Sequence, residues 1–485
     1  MSAIITDNFR RNNAKLFLTD IAGTDPRGSP LGTPANVNRY YLGIGKSDKW
    51  ADGASGVTED SSAYNIAAPV GSFSDTLEVL NNVATLTKLG ASNTTLVIPN
   101  VAYASGNRYK AYNSYDSSCF YATGTTLPCY AISGAGMYLC LRAGTGTTSA
   151  QPATTTYVPF SGSDGYVWIY VQAVSQAATA FITDQFIEVS QTPLTSTPLT
   201  DSAAYGGLCS SNFHVVNGGS GYVAGSTTTA VLKGSDGVGG VTFNVTLDYT
   251  VVGGAIATVT LSNPTTPTSW PKGLIVASVE IASTSGGTGA VVVPVIAPKN
   301  GYGYIPSAVM PSWYAGIAVD LANDISTDNF YTPYRQISVI RNPNTTAATA
   351  NALRYLTLAG SVPSIDANTN TLIYDGTTNK PFAVADVVNT SGGNKLYFHQ
   401  NYISGFSEIA SAGTFRIIPG TSGTLYNWNA VTASECNEAV LANGLISGGD
   451  GAHARIAGEV VFAENRRKIT RSSGQTEKIK IIIQF

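Results

Sequence analysis

Three histidines (His214, His399, His453) and five cysteines (Cys119, Cys129, Cys140, Cys209, Cys436) are the side chains best suited to ligate a metal or act as base and nucleophile. Their spacing argues against both roles. There is no CxxC pair, and the histidines fall in different segments, so no zinc-like ligand set arises and no metal site is expected. The cysteine count is odd and the positions are scattered, which points to buried thiols rather than a disulfide framework. Asp450 and His453 could orient a serine, but the chain has no GxSxG elbow. GGSGY at Gly218 lacks the Lys-Ser/Thr pair and the following helix of a phosphate loop, so it reads as a turn. GSDGVGG at Gly234 and GGDG at Gly448 do not repeat the nonapeptide frame of calcium-binding loops. Paired carboxylates for glycoside cleavage meet only in space, and nothing in the sequence favours them. The basic residues Arg455, Arg466, Arg467, Lys468, Arg471, Lys478 and Lys480 alternate with Glu459, Glu464 and Glu477. That mixture reads as a solvated hairpin or a partner-facing rim rather than a nucleic-acid patch. No catalytic residue and no cofactor site emerges.

Composition explains what must hold these residues. Charged residues make up only 12% of the 485-residue chain, about half the usual share, and Gly, Thr, Ser, Asn and Tyr replace them. Thr, Val and Tyr suit pleated strands while Gly and Asn supply turns, so the chain is expected to be mainly β. A net charge of −3 gives no global attraction to nucleic acid or to an anionic membrane. No apolar run approaches the ~18 residues of a membrane span, and no leader opens the chain. Synthesis and residence in a cytosolic environment are therefore expected, and the NxS/T triplets at Asn93, Asn244, Asn344 and Asn389 carry no glycan.

The most strongly patterned strand is Ser163 to Val174, SDGYVWIYVQAV. Tyr166, Trp168 and Tyr170 form one face and Val167, Ile169 and Val171 the other, so both faces require cover, as in the middle of a stacked β structure. A helix is expected from Thr6 to Leu18, with Thr6 or Asp7 as cap and Phe9, Leu16 and Phe17 toward the core. A second is expected from Asp75 to Leu89, where Leu77, Leu80, Val83, Ala84 and Leu86 make a stripe that Gly90 stops. Strands are expected at Asn38 to Lys46, Thr95 to Ile98, Tyr109 to Ala111, Met137 to Arg142, Phe181 to Val189, Tyr334 to Arg341 and Lys395 to His399. Between Gly206 and Gly303 the chain turns to Gly, Ser, Thr and Val, with VVNGGSGY (Val215 to Tyr222) echoed by APKNGYGY (Ala297 to Tyr304). This reads as a small self-contained β module. Thr432 and Glu435 make a capping box for a short helix to about Asn443. Two strands, Gly458 to Glu464 and Lys478 to Phe485, close the chain around a turn at Asn465 to Arg467.

Seven of these stretches occur in one order: the N-terminal helix ending in FLTDI, LGIGKSDKW (Leu42 to Trp50), the helix with LVIPN after it (Leu96 to Asn100), SGAGMYLCLRAG (Ser133 to Gly144), SDGYVWIYVQAV, PYRQISVIRNP (Pro333 to Pro343), and GEVVFAENRRKITRSSGQTEKIKIIIQF from Gly458 to the end. Together they cover somewhat under half of the chain. In this order they resemble the dimeric baseplate wedge subunit of T-even-like contractile-tailed bacteriophages. The chain is considerably longer than the founding member of that family, with the excess at about 206 to 300 and 345 to 430. The resemblance implies a mainly β, three-layer sandwich with a few short peripheral helices and inserted small β modules. On that reading residues 1–205, 301–345 and 446–485 form the core, and 206–300 and 346–445 are insertions. The core candidates are Tyr166, Trp168, Tyr170, Ile337, Val339, Val461, Ile481 and Ile483.

The resemblance also implies a homodimer in the virion's tail baseplate, assembled in the host cytoplasm. It would contact other wedge proteins and peripheral fibre- or spike-bearing proteins, without catalysis, cofactor, nucleic acid or membrane span. Two other readings stand beside it. One is a glycan-binding, adhesin-like β protein with Tyr222, Tyr302 and Tyr304 as a sugar platform. The other is a β-rich polysaccharide hydrolase, which would depend on one Asp or Glu.

Overall fold

A computed structural model describes residues 5–23, 37–194 and 213–485. Within these spans it leaves out 48, 51–56, 59–60, 62–64, 114–116, 158–159, 175–183, 226–227, 236–241, 263–275, 285, 295–303, 323–333, 366–370, 387–393, 401–402, 406–408, 421, 433–457 and 471–475. The protein is mainly β, with three α-helices among the described residues. The expected helix after Thr432 lies outside them. Two compact units are formed, one from residues 1–15, 95–316 and 482–485, the other from 16–94 and 317–481.

Helix α1 spans Asp7–Ala22, and the Thr6 hydroxyl caps it by accepting from the Phe9 N–H at 3.3 Å. Ala14, Leu18 and Ile21 form its buried stripe, at the helical spacing of four and three. Phe9 and Leu16, expected to face the core, are 56% and 49% exposed instead. Helix α2 spans Phe73–Asn82 and is capped by Ser72, whose hydroxyl accepts from the Asp75 N–H. It ends well before the expected Leu89, because Val83–Lys88 is a strand. The stripe through Val83, Ala84 and Leu86 was compatible with either state; alternation in VATLTK and pairing on both edges decide for the sheet. Helix α3, Pro306–Val309, is a single turn.

In the first unit a four-stranded sheet runs in the order Tyr130–Ser133, Gly136–Arg142, Val167–Ala173, Phe160–Ser161. Tyr166, Trp168 and Tyr170 all point into one cluster with Tyr109, Tyr138 and Cys140. Trp168 meets Tyr109 edge-on with centroids 5.2 Å apart, and Tyr138 meets Tyr170 at 5.7 Å. Val167, Ile169 and Val171 on the opposite face are buried too, so the strand is covered on both sides. Asp164 fixes the preceding turn: its carboxylate accepts from the N–H groups of Ser149, Ala150 and Tyr166. Of the expected strand at Phe181 to Val189, Phe186–Glu188 is formed and pairs with Thr94–Pro99.

The Gly- and Thr-rich segment of this unit builds two sheets around its own core. Phe213–Ser220 pairs with Thr288–Pro294, and a second sheet runs Ala255–Leu261, Thr242–Val252, Thr228–Ser235, Val276–Ser283. Phe213, Tyr222, Leu232, Leu247, Ile256 and Val259 fill the space between them. Gly219 is required here: at φ +65° a Cβ would lie 2.6 Å from the Ala290 nitrogen.

The second unit contains a five-stranded antiparallel sheet in the order Thr349–Asn351, Val83–Lys88, Tyr40–Gly45, Tyr334–Arg341, Glu459–Ile469. Leu42 faces Val339 and Ile44 faces Ile337 across the central pair, and both Ile337 and Val339 are fully buried. This last strand continues through the turn expected at Asn465 to Arg467, with an irregularity in its pairing between Asn465 and Ile469. Val461 does not join the core and is 41% exposed. Val339 pairs with Phe462 and Ile340 with Val460, so Val461 is the extra residue of a β-bulge on an edge strand and turns outward. In the final strand, Thr476–Gln484, Ile479 and Ile481 are buried, while Ile483 near the chain end is only half-buried.

The stretch expected as the second insertion contains a closed six-stranded barrel: Arg354–Leu358, Lys395–His399, Pro381–Ala385, Leu372–Asp375, Gly413–Arg416, Tyr426–Thr432 and back to the first. Closure leaves no open sheet edge. Leu356, Ile373, Leu396, Phe398, Phe415 and Trp428 fill its interior.

Candidate functional site

Two places in the second unit gather polar side chains. The first is a buried hub around Asp386, which follows the barrel strand Pro381–Ala385. His399 ends the neighbouring strand and places Nδ1 3.2 and 3.1 Å from the two carboxylate oxygens. Nδ1–H donating to Asp386 fixes the imidazole tautomer. Ser47, just past the strand Tyr40–Gly45, donates its hydroxyl to Asp386 Oδ1, and its carbonyl accepts from the guanidinium of Arg335. Arg335 is fully buried, and Ser47, Asp386 and His399 are nearly so. Arg354 lies over the Phe398 ring and donates to Gln400 at 3.4 Å. Burial pulls the Arg354 pKa down to about 10, against the opposing attraction of the Asp386 carboxylate.

A serine, a histidine and an aspartate in contact suggest nucleophilic catalysis, but the order of contacts is wrong. A triad places the base between nucleophile and carboxylate, whereas here Ser47 and His399 both bond to Asp386. Ser47, Asp386 and His399 are also buried. The arrangement ties the loop after Tyr40–Gly45 to two barrel strands through directed polar bonds.

The second place is a cleft of about 510 Å³ at the barrel mouth, lined among others by Asp375, Thr378, Lys380, Phe382, Thr414 and Trp428. Its rim is the hairpin from Asp375 to Pro381. Burial disfavours the charged Asp375 carboxylate, but donation from the Thr378 N–H and hydroxyl and the Thr377 N–H outweighs it and holds the pKa below the usual range. Trp428 is mostly buried and donates its indole N–H to the Ala410 carbonyl at 3.0 Å. Asp375 is the one carboxylate among the described lining residues.

His453, Cys209, Cys436, Asp450 and Tyr302 lie outside the described residues. Tyr222 is not a sugar platform: it is 4% exposed inside the module core, with its hydroxyl accepting from the Ala290 N–H. Among the described residues no group of His, Cys, Asp or Glu could hold a metal ion. The terminal basic residues include paired ones: Arg466 with Glu464 at 3.0 Å and Lys478 with Asp320 at 3.3 Å. No described helix is long and apolar enough to cross a membrane. The Asp386 hub escaped sequence reasoning; its one signal was His399 closing an apolar strand. Comparison with known proteins finds no matching family model and no matching curated relative.

Proposed function

We propose that the chain is a non-catalytic structural subunit of a contractile-tail baseplate wedge, acting as a homodimer that joins neighbouring wedge proteins to peripheral fibre- or spike-bearing ones. The observation carrying this reading is where the seven resembling stretches fall. They supply α1, the strands Tyr40–Gly45, Thr94–Pro99, Gly136–Arg142, Val167–Ala173 and Tyr334–Arg341, and the last two strands of the chain. The stretches without a counterpart, around 213–294 and 354–432, each fill a core of their own. That is the pattern of a scaffold carrying surface elaborations. Exposed Phe9 and Leu16 on α1 offer apolar contact area to a partner.

Cross-linking of isolated tail baseplates, followed by mass spectrometry, tests the proposal. Links from this chain to itself and to other wedge proteins are expected. Absence from the baseplate, or links confined to fibre tips, would overturn it in favour of the glycan-binding alternative. For that alternative the Asp375–Trp428 cleft is the place we would test for glycan binding.

A further inference from the structure

Cys119 closes the short 3-10 helix Ser117–Phe120 with Phe120, and Cys129 directly precedes the strand Tyr130–Ser133. The backbone brings them together, since the Cys129 N–H donates to the Cys119 carbonyl at 2.8 Å. Their side chains turn the same way: Cys129 Sγ donates to Cys119 Sγ at 3.3 Å. A covalent S–S bond needs an approach of only about 1.3 Å more. Both residues are buried. Cys140 is the next thiol, but it donates to the Arg142 carbonyl and packs in the aromatic cluster with Tyr109 and Trp168.

We propose that Cys119 and Cys129 are a redox-modification site that closes to a disulfide when the folded protein meets a low-molecular-weight disulfide. One cysteine loses its proton, and the thiolate attacks a sulfur of the reagent, releasing one reagent thiol and leaving a mixed disulfide. The second cysteine then attacks the protein sulfur of that mixed disulfide and releases the second reagent thiol. Two electrons and two protons pass from the pair to the reagent, so the step balances. Burial, reinforced by the hydrogen bond to Cys119, raises the Cys129 pKa, so closure is slow at neutral pH and quickens as pH rises. The closed bond would pin the loop 119–129, whose Phe120 and Tyr121 rings pack on Trp313 with centroids 5.8 and 6.0 Å away.

The test uses the native full-length chain incubated with oxidised glutathione, then denatured, alkylated and digested with chymotrypsin. Phe120, Tyr121 and Tyr130 let that protease separate Cys119, Cys129 and Cys140 into different peptides. The expected product is a peptide pair joined through Cys119 and Cys129, formed faster at higher pH and absent from Cys119→Ser. Full alkylation of both residues after prolonged exposure would overturn the proposal, as would a cross-link that instead uses Cys140, Cys209 or Cys436. Mapping the unmodified protein decides the matter even if the variant does not fold.

Discussion

Around Trp168 the interior is made of rings, and around Asp386 it is made of charges. In the first region seven aromatic side chains, Tyr103, Tyr109, Tyr138, Tyr157, Phe160, Tyr166 and Tyr170, surround one indole or touch its neighbours, and the indole N–H has no hydrogen-bond partner. In the second, a carboxylate, an imidazole, a hydroxyl and guanidinium groups are each held by directed bonds. The ring cluster gains from area removed from water and tolerates an unmet donor. The ionic cluster gains little net energy but fails when any one member is removed. Large side chains can therefore be buried by two unlike routes in one chain, and the routes predict different responses to substitution.

Trp168→Ala should have the largest effect, a loss of about 4 kcal/mol by urea unfolding, because a fully buried indole leaves a cavity its ring neighbours cannot refill. Retention of wild-type stability would mean the rings repack and the cluster is plastic. Asp386→Ala should cost about 3 kcal/mol by stranding buried partners. If the loss were small, the hub would be wetter than its burial implies, and the contrast between the two regions would weaken. The double variant should lose the sum of both, since the clusters share no residue.

Asp164→Asn sharpens the ring side of the comparison. Burial opposes ionisation of Asp164, but three N–H donors, from Ala150, Ser149 and Tyr166, outweigh it and lower the pKa. A folded pKa below the unfolded one means stability present above about pH 4 and lost as pH falls through the folded value. Because solvent screens this partly exposed carboxylate, the variant should cost less than about 1 kcal/mol at neutral pH. Its deficit should vanish in acid; a deficit independent of pH would show that geometry rather than charge sets the turn. Val461→Ala, at an exposed bulge, should change unfolding by less than about 0.5 kcal/mol. A larger loss would return Val461 to the core.

What was legible in the sequence follows from range. The Tyr166–Trp168–Tyr170 row announces itself within five residues because strand periodicity is local. The end of α2 was not legible, since Leu80, Val83 and Leu86 satisfy a helical stripe and only pairing with Tyr40–Gly45 makes Val83–Lys88 a strand. The bulge at Val461 depends on register with a strand more than a hundred residues away. The Asp386 hub lies furthest out of reach, because Ser47 meets Asp386 across 339 residues of chain. Alternating apolar residues in the barrel strands gave no hint of closure, which is a property of six segments together.

The pairing of Phe213–Ser220 with Thr288–Pro294 places the first and last strands of the Gly- and Thr-rich module side by side, Phe213 opposite Pro294. A segment whose two ends emerge together behaves as a cassette. It can be excised and replaced by a short linker, or exchanged for another module, at a small loop-closure cost to the host sheet. Its core residues are all distinct from those of the aromatic cluster around Trp168, so its removal would take no member from that cluster.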